Sequence, residues 1–308
     1  MLVEFLSVAV GLVILVFAGD ALVKGAVNLA LRLGVPALVV SLTVVAFGTS
    51  APELLVSVQA ILDGAPGLAL GNVVGSNTAN VLLVLGIPAL IATMHTSRCD
   101  TRRDFLYMAC ASVLFVAFCL SGRLVWWHGL VLLAALAGIL AMTFLTARGG
   151  EAEVEGADAG IAGWRIAVFL VAGLVGLPLG ASLLVDGATA IARAFGVTEA
   201  VIGLTLVAIG TSLPELATTV MAAIRRHADV ALGNVIGSNL FNLTGIMGIA
   251  VLVGPVPVDP GFLRLDLWTM LGATALLVPF VFLGRDLTRA WGVALVALYV
   301  AYLAALLA

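Results

Sequence analysis

Apolar residues run in long blocks from one end of this 308-residue chain to the other, with short polar breaks between them. Uninterrupted apolar runs of more than about 18 residues are candidate membrane spans. Breaking the chain at charged and Pro/Gly-rich points gives ten, at roughly 2–33, 35–62, 66–93, 104–120, 124–147, 164–195, 197–224, 228–253, 265–283 and 287–307. The runs are continuous, not alternating, which argues against a β-barrel. The pattern predicts an all-α polytopic membrane protein with ten transmembrane helices. The first span contains no proline, and its 32 residues reach roughly 48 Å against about 30 Å of hydrocarbon. It must tilt or extend beyond the bilayer, and the sixth span is similarly long.

Composition agrees. Hydrophobic residues make up 63% of the chain and charged residues 10%, at a mean hydropathy of +1.24; a soluble domain carries about 25% charged residues. The net charge of −3 says little, because most charge lies in loops, and no basic tract points to nucleic acid. Glu4 and the lack of Lys or Arg before the first apolar run predict a retained first span, not a cleaved signal. Cys99, Cys110 and Cys119 form no CxxC and suggest neither a disulfide frame nor a metal site.

Lys and Arg set the orientation. With the N-terminus outside, the cytoplasmic face receives Lys24, Arg32, Arg98, Arg102, Arg103, Arg148, Arg165, Arg225, Arg226, Arg285 and Arg289. The outer face receives only Arg123, Arg193 and Arg264. This bias predicts an N-out, C-out protein in the cell (plasma or inner) membrane. The segment "RGGEAEVEGADAG" becomes a cytoplasmic acidic linker, read as flexible and solvated, with weak cation sensing as the alternative.

The chain also repeats itself. Shifted by 162, its halves align without a gap over about sixty residues. "SLTVVAFGTSAPE" meets "GLTLVAIGTSLPE", and "GNVVGSNTAN" meets "GNVIGSNLFN". This is a duplication. Five spans per half, an odd number, give the halves opposite orientation: a first repeat over 1–147, the linker over 148–163 and an inverted second repeat over 164–308. Inverted repeats belong to secondary transporters, whose sites lie near the midplane at broken helices; some channels share them.

The repeated motifs place polar groups inside the membrane. Thr49, Ser50 and Glu53 share a helix face by their spacing. Pro52 removes a backbone donor and should free carbonyls near Ala46 to Gly48, with Gly48 easing the distortion. Asn72, Ser76 and Asn80, each four apart, form a stripe on the next span. The second half repeats the set as Thr211, Ser212, Glu215, Asn234, Ser238 and Asn242. A lone Ser or Asn in a span is usually helix–helix glue. Two symmetric glutamates at membrane depth are costly and mark an ion or proton path. Facing one another, the halves offer Glu53, Glu215, six hydroxyls, two amides and backbone carbonyls. All are hard oxygen ligands, which suit Na⁺, Ca²⁺ or Mg²⁺ and not Zn²⁺ or Cu⁺; a flexible cage with two carboxylates fits Ca²⁺ best.

Other polar residues read more plainly. Asp20 and Lys24 form a local i, i+4 pair, which the repeat does not copy because Asp186 takes the place of Lys24. His95 and His227 are ordinary loop residues, with pH sensing the alternative. His128, after Trp126 and Trp127, reads as part of an interfacial belt.

The paired motifs "GTSAPE…GNVVGSN" and "GTSLPE…GNVIGSN" resemble the two alpha repeats of the sodium/calcium exchangers, in the calcium/cation antiporter superfamily. The strongest match covers about 34–80 and 196–242, and the ten-span plan extends it to the whole chain. The proton-coupled calcium branch typically has GNxxE where this chain has GTSxPE, so the resemblance favours sodium coupling. It implies that Glu53 and Glu215 are central calcium ligands, joined by the carbonyls of Thr49 and Thr211. It implies one sodium site at the Ala46 carbonyl, Thr49, Ser50 and Ser238. A symmetric mate would use the Ala208 carbonyl, Thr211, Ser212 and Ser76. Asn80 and Asn242 would complete the centre. Some relatives carry Asp at the position of Asn242; the neutral residue here leaves two carboxylates and argues against potassium dependence. The resemblance further implies that spans one and six slide together against the bundle.

The function expected is antiport of Na⁺ against Ca²⁺, with the ions as substrates in a lipid bilayer. No resident cofactor, enzymatic activity, nucleic acid or obligate protein partner is implied. A calcium/proton antiporter and a cation channel are the alternatives.

Overall fold

The computed structural model describes residues 2–147, 161–195 and 208–307. The expected linker up to residue 160, and the beginning of the seventh expected span, lie outside them. Among the described residues, seven helices are long and apolar enough to cross a membrane, or eight when one bent pair counts as a single span.

In chain order they are α1 (Leu2–Leu33), the bent pair α2 (Ala37–Thr49) and α3 (Ala51–Leu62), and α4 (Pro66–Ile91). Then come α5 (Arg102–Cys119), α6 (Trp126–Ala147) and α7 (Gly163–Ala194). The chain continues with α8 (Ala208–Thr211), α9 (Leu213–Ile224), α10 (Ala228–Val253), α11 (Phe262–Phe282) and α12 (Arg289–Leu307). The fourth expected span is α5, an 18-residue helix that opens on Arg102, Arg103 and Asp104 and is therefore the most polar at its start. Two-residue strands, Arg123–Leu124 and Val256–Pro257, pair antiparallel in loops whose residues carry no strand pattern.

Local chemistry explains where helices stop. Gly34, at φ 65°, ends α1 in a Schellman turn: Val35 N–H bonds the Ala30 carbonyl at 3.1 Å and Gly34 N–H that of Leu31 at 3.2 Å. Gly64 ends α3 in the same way at φ 74°. Its repeat mate, Arg226, adopts φ 62° after α9. A side chain there costs roughly 1–2 kcal/mol that glycine avoids.

Burial sorts the helices into an inner and an outer set. In α10, 89% of the apolar window is buried, and in α4, 72%; in α1 and α7 the share is 22%. Helices α4 and α10 therefore form the centre, while α1 and α7 lie outside with Phe5, Val13, Phe17, Val171 and Leu179 exposed. With lipid on one side, the two long helices are joined by close backbone packing, not by the hydrophobic effect. A Cβ on Gly11 would stand 2.8 Å from the Gly180 carbonyl, one on Gly173 2.5 Å from Leu22 Cβ, and one on Gly187 2.8 Å from the Glu4 carbonyl. Low numbers on α1 meet high numbers on α7, so the two run antiparallel. Ser7 Oγ adds a hydrogen bond to the Leu183 carbonyl at 2.9 Å.

A second tie links this pair to the bundle. Asp20 pairs with Lys24 at 3.0 Å, as the spacing predicted, and also accepts from Arg225 Nε at 2.6 Å. The Arg225 contact spans 205 residues and has no signature in α1 itself. His128 corrects an expectation. It is 3% exposed, its Nδ1 accepts the Val125 N–H at 3.0 Å, and its ring packs on Trp127, so it is a buried cap of α6 and does not share the exposure of its tryptophan neighbours. Trp126 and Trp127 remain exposed, as a belt requires. His95 is a partnered loop residue: its Nδ1 lies 2.9 Å from Asp286 Oδ2. Burial opposes the Asp286 charge, but hydrogen bonds from Ser97 and His95 hold its carboxyl below the usual carboxylate range.

The backbone contact at Gly11 yields a direct test. Gly11→Val forces α1 away from α7 and should lower stability by about 1–3 kcal/mol, seen as a lower thermal midpoint of the purified protein in detergent. Gly138→Val, which meets nothing within 4 Å, is the control and should leave the midpoint unchanged.

Candidate cation-binding site

The site is built from two helix breaks. α2 ends at Thr49, Ser50 leaves the helix at φ −84°, ψ 6°, and α3 restarts at Ala51 with Pro52 in its first turn. α2 and α3 are bent by 42°. The second repeat does the same: Ser212 has φ −87°, ψ 3° between α8 and α9, and Pro214 stands in the first turn of α9. Proline lacks the N–H that would continue the ladder and is accepted where a helix begins. The consequence is electrostatic. Each break creates a helix N-terminus inside the bundle, and Glu53 and Glu215 sit in those first turns. The positive end of a helix dipole favours a carboxylate.

Both glutamates are fully buried, at 0% exposure. Neither carboxylate has an ion-pair partner among the described residues. Both Glu53 oxygens and Glu215 Oε2 also lack hydrogen-bond partners there. Glu215 Oε1 accepts from Ser50 Oγ at 3.0 Å and Ser238 Oγ at 3.4 Å. The structure thus brings Ser50 and Ser238, from opposite repeats, onto one carboxylate. Ser212 Oγ, Asn80 Oδ1 and both polar side-chain atoms of Asn242 are likewise buried without partners. Ser76 is 4% exposed. No group of three or more His, Cys, Asp or Glu side chains forms among the described residues, so the negative charge here comes from two glutamates alone. The unpartnered atoms are almost all oxygens, a hard donor set.

The remaining expected residues fall as follows. Thr49 is 1% exposed; its Oγ1 lies 3.3 Å from both the Ala46 carbonyl and Asn234 Oδ1. Thr211 is half-buried, and Ala208 opens α8. The Ala46 carbonyl is not bare, as the proline argument expected, because it accepts the Ser50 N–H at 3.0 Å. The Thr49 hydroxyl carries one proton, so when it donates to Asn234 Oδ1 the second lone pair of the Ala46 carbonyl is left for a cation. Gly48 does more than ease a bend. A Cβ there would lie 2.0 Å from Leu174 Cδ2, and one on Gly210 2.6 Å from Val185 Cγ2, so both glycines admit α7 against the breaks.

Asn72 and Asn234 brace the glutamates from behind. Asn72 Nδ2 donates to the Glu53 carbonyl at 3.1 Å and to Ser57 Oγ at 2.9 Å. Asn234 Nδ2 donates to the Glu215 carbonyl at 3.3 Å and to Thr219 Oγ1 at 3.0 Å. Each clamps the broken helix to its neighbour across the same 19 residues. The polar stripe is therefore divided in role: its first asparagine holds backbone, and its later members face the unpartnered cluster. Ser57 and Thr219 were not read from the sequence; their signal was their place one turn beyond each glutamate. Helices α4 and α10 also widen into π-turns at Asn80–Val84 and Phe241–Ile246, beside the clustered asparagines. Such turns recur at functional sites.

Comparison with known proteins agrees with this geometry. The sodium/calcium exchanger protein profile matches residues 3–145 and 165–308. The putative antiporter CaxA of Alkalimonas amylolytica is 35% identical over 314 residues, covering 98% of each chain. The sodium/calcium exchanger MaX1 of Methanosarcina acetivorans is 35% identical over 346 residues, covering 99% of this chain and 98% of its own. The structure of the sodium-calcium exchanger NCX_Mj, soaked with zero Na⁺ and Ca²⁺, superposes with a TM-score of 0.86 at 32% identity and covers 99% of both chains. This chain is a multi-pass membrane protein and belongs to the sodium/calcium exchanger family.

Proposed function

We propose that this protein is a secondary-active antiporter that exchanges Na⁺ for Ca²⁺ across the cell membrane by alternating access. The observation that carries the reading is the pair of fully buried carboxylates. Each stands at the N-terminus of a broken helix, in opposite repeats, amid hydroxyls and amides and with no cationic partner among the described residues. Support comes from the relatives: CaxA is named a putative antiporter, MaX1 a sodium/calcium exchanger, and NCX_Mj was solved after soaks in Na⁺ with Ca²⁺ or Sr²⁺.

The assigned architecture is ten spans in two inverted repeats, 1–147 and 164–308, joined by the linker 148–163, with both termini outside. The antiparallel packing of α1 on α7, repeat mates in sequence, supports the inversion.

Glu53 and Glu215 are the central calcium ligands in this reading, joined by the Thr49 and Thr211 carbonyls. Sodium uses the same carboxylates. One flanking set is the Ala46 carbonyl, Thr49, Ser50 and Ser238; the other is the Ala208 carbonyl, Thr211, Ser212 and Ser76. Asn80 and Asn242 complete the centre. Two uncompensated carboxylates at the midplane are costly to carry across. The site crosses when one Ca²⁺ or several Na⁺ neutralise it, and the ions compete for the same oxygens. Movement of Na⁺ down its gradient then drives Ca²⁺ the other way. Helices α1 and α7, joined to each other along their length, form the sliding unit.

Reconstituted protein should take up Ca²⁺ when an outward Na⁺ gradient is imposed. Uptake driven instead by a pH gradient without sodium would replace this reading with proton antiport, and uncoupled current would make the protein a channel. Glu53→Gln and Glu215→Gln should each cut sodium-driven calcium flux by at least about 100-fold, the effect of roughly 3 kcal/mol lost from a buried charge contact. Wild-type flux in either variant removes that glutamate from the site. Asn242→Asp adds a third acid and should change the ratio of calcium to sodium affinity or steepen the pH dependence of flux; if both stay unchanged, Asn242 lies outside.

A further inference from the structure

Helices α4 and α10 meet through a second pair of asparagines. Asn77 and Asn239 are repeat mates, and each is 1% exposed. Asn77 Nδ2 donates to the main-chain carbonyl of Asn239 at 3.3 Å, and Asn239 Nδ2 donates to that of Asn77 at 3.3 Å. A carbonyl oxygen only accepts. Each amide must therefore turn its nitrogen toward the opposite backbone and its Oδ1 away from it.

That polarity is handed on. Asn239 Oδ1 accepts from Asn80 Nδ2 at 3.0 Å. With its nitrogen so engaged, Asn80 is left with Oδ1 as its free atom, and that oxygen is buried without a protein partner. Backbone carbonyl, first amide and second amide thus form a directed chain that ends in an outward-facing acceptor. The mirrored arm starts identically but is not closed. Asn77 Oδ1 is buried and unpartnered, and so are both side-chain atoms of Asn242, the repeat mate of Asn80. Asn77 Nδ2 has one further neighbour, Met270 Sδ at 3.9 Å.

We propose that Asn77 and Asn239 are positioning residues for the cation site. Asn239 fixes the amide of Asn80 so that oxygen, not nitrogen, is offered to the ion. Asn77 is placed to do the same for Asn242 when the mirrored arm closes. An unconstrained amide presents its NH₂ group as readily as its oxygen, and a cation facing NH₂ is repelled. The inference rests on the placement of Asn80 and Asn242 in the site assigned above. The competing reading is that the reciprocal bonds only glue α4 to α10.

A double-mutant cycle separates the two, because residues that act through one another are non-additive. In purified full-length protein, Ca²⁺ affinity is measured for wild type, Asn239→Leu, Asn80→Ala and the double variant. Asn239→Leu should weaken Ca²⁺ about tenfold, in line with loss of one orienting hydrogen bond, and should cause no further loss in the Asn80→Ala background. An equal loss in both backgrounds, or no loss in either, overturns the proposal. If the leucine variant does not fold, Asn239→Ser is read in the same cycle. Asn77→Leu with Asn242→Ala tests the second arm. Wild-type protein that binds Ca²⁺ but shows no sodium-driven flux would sink the antiport reading and leave this cycle intact. Wild-type affinity in Asn80→Ala would sink the positioning role alone.

Discussion

Two carboxylates buried in an apolar bundle, with no cationic partner among the described residues, are the constraint to which the rest of this structure answers. Desolvation alone costs several kcal/mol per ion. The fold offsets part of that cost with geometry already at hand. Pro52 and Pro214 restart their helices inside the bundle, and each restart supplies a positive dipole end whose first turn carries the glutamate. Asn72 and Asn234 then clamp the glutamate backbones to the neighbouring helices, which fixes where each carboxylate side chain begins. In the function proposed above, the negative charge that hydroxyls and dipoles leave uncompensated is what a bound cation would neutralise.

Much of this was legible because duplication prints the same message twice. A single GNxxGSN in a span reads as packing; two copies 162 residues apart, each following a GTSxPE with its glutamate, read as one site. The breaks at Ser50 and Ser212 follow directly from the proline rule, and the long first and sixth spans proved to be single 32-residue helices. Partners across the bundle were less legible. Helical spacing fixes which residues share a face but not which neighbour that face meets. Nothing around Asp20 announces Arg225, and nothing around Asn80 announces Asn239. His128 misled for a related reason: its tryptophan neighbours are interfacial, while its own ring folds back to cap the helix. The carbonyl of Ala46 was read as free because a proline removes one donor, but the turn at Ser50 supplies another.

The repeats are symmetric in sequence yet not in contact. Glu215 accepts from Ser50 and Ser238, whereas Glu53, with Ser212 and Ser76 as the mates of those donors, accepts from neither. Asn80 is engaged by Asn239, but Asn242 is not engaged by Asn77. The Asn72 and Asn234 clamps and the reciprocal Asn77–Asn239 bonds are made in both halves, whereas in these two contacts one half is made and its mirror image is open. In the inverted architecture proposed above, repeats that hold different conformations would place a shared site off balance between two faces. Under the alternating access proposed above, exchange of the two conformations would exchange these contacts as well.

Charge outside the site breaks the symmetry further, and permanently. On α1, Asp20 is bound by Lys24 and Arg225. The mates of these three are Ser182, Asp186 and Asp63, a serine and two acids; Ser182 donates to Asp186 at 3.2 Å, and Asp63 accepts from Gln59 at 2.8 Å. An ionic tie between the long helix pair and the bundle can therefore form where α1 meets α9, but its mirror image has no cation to form it. The pair is only partly buried, so water and salt screen it and its worth is small, on the order of 1 kcal/mol or less. Even so, a difference of that size between two otherwise equivalent conformations shifts their populations several-fold. Under the alternating access proposed above, a duplicated core would give two near-equal states, and an unduplicated charge such as Arg225 would bias the balance between them.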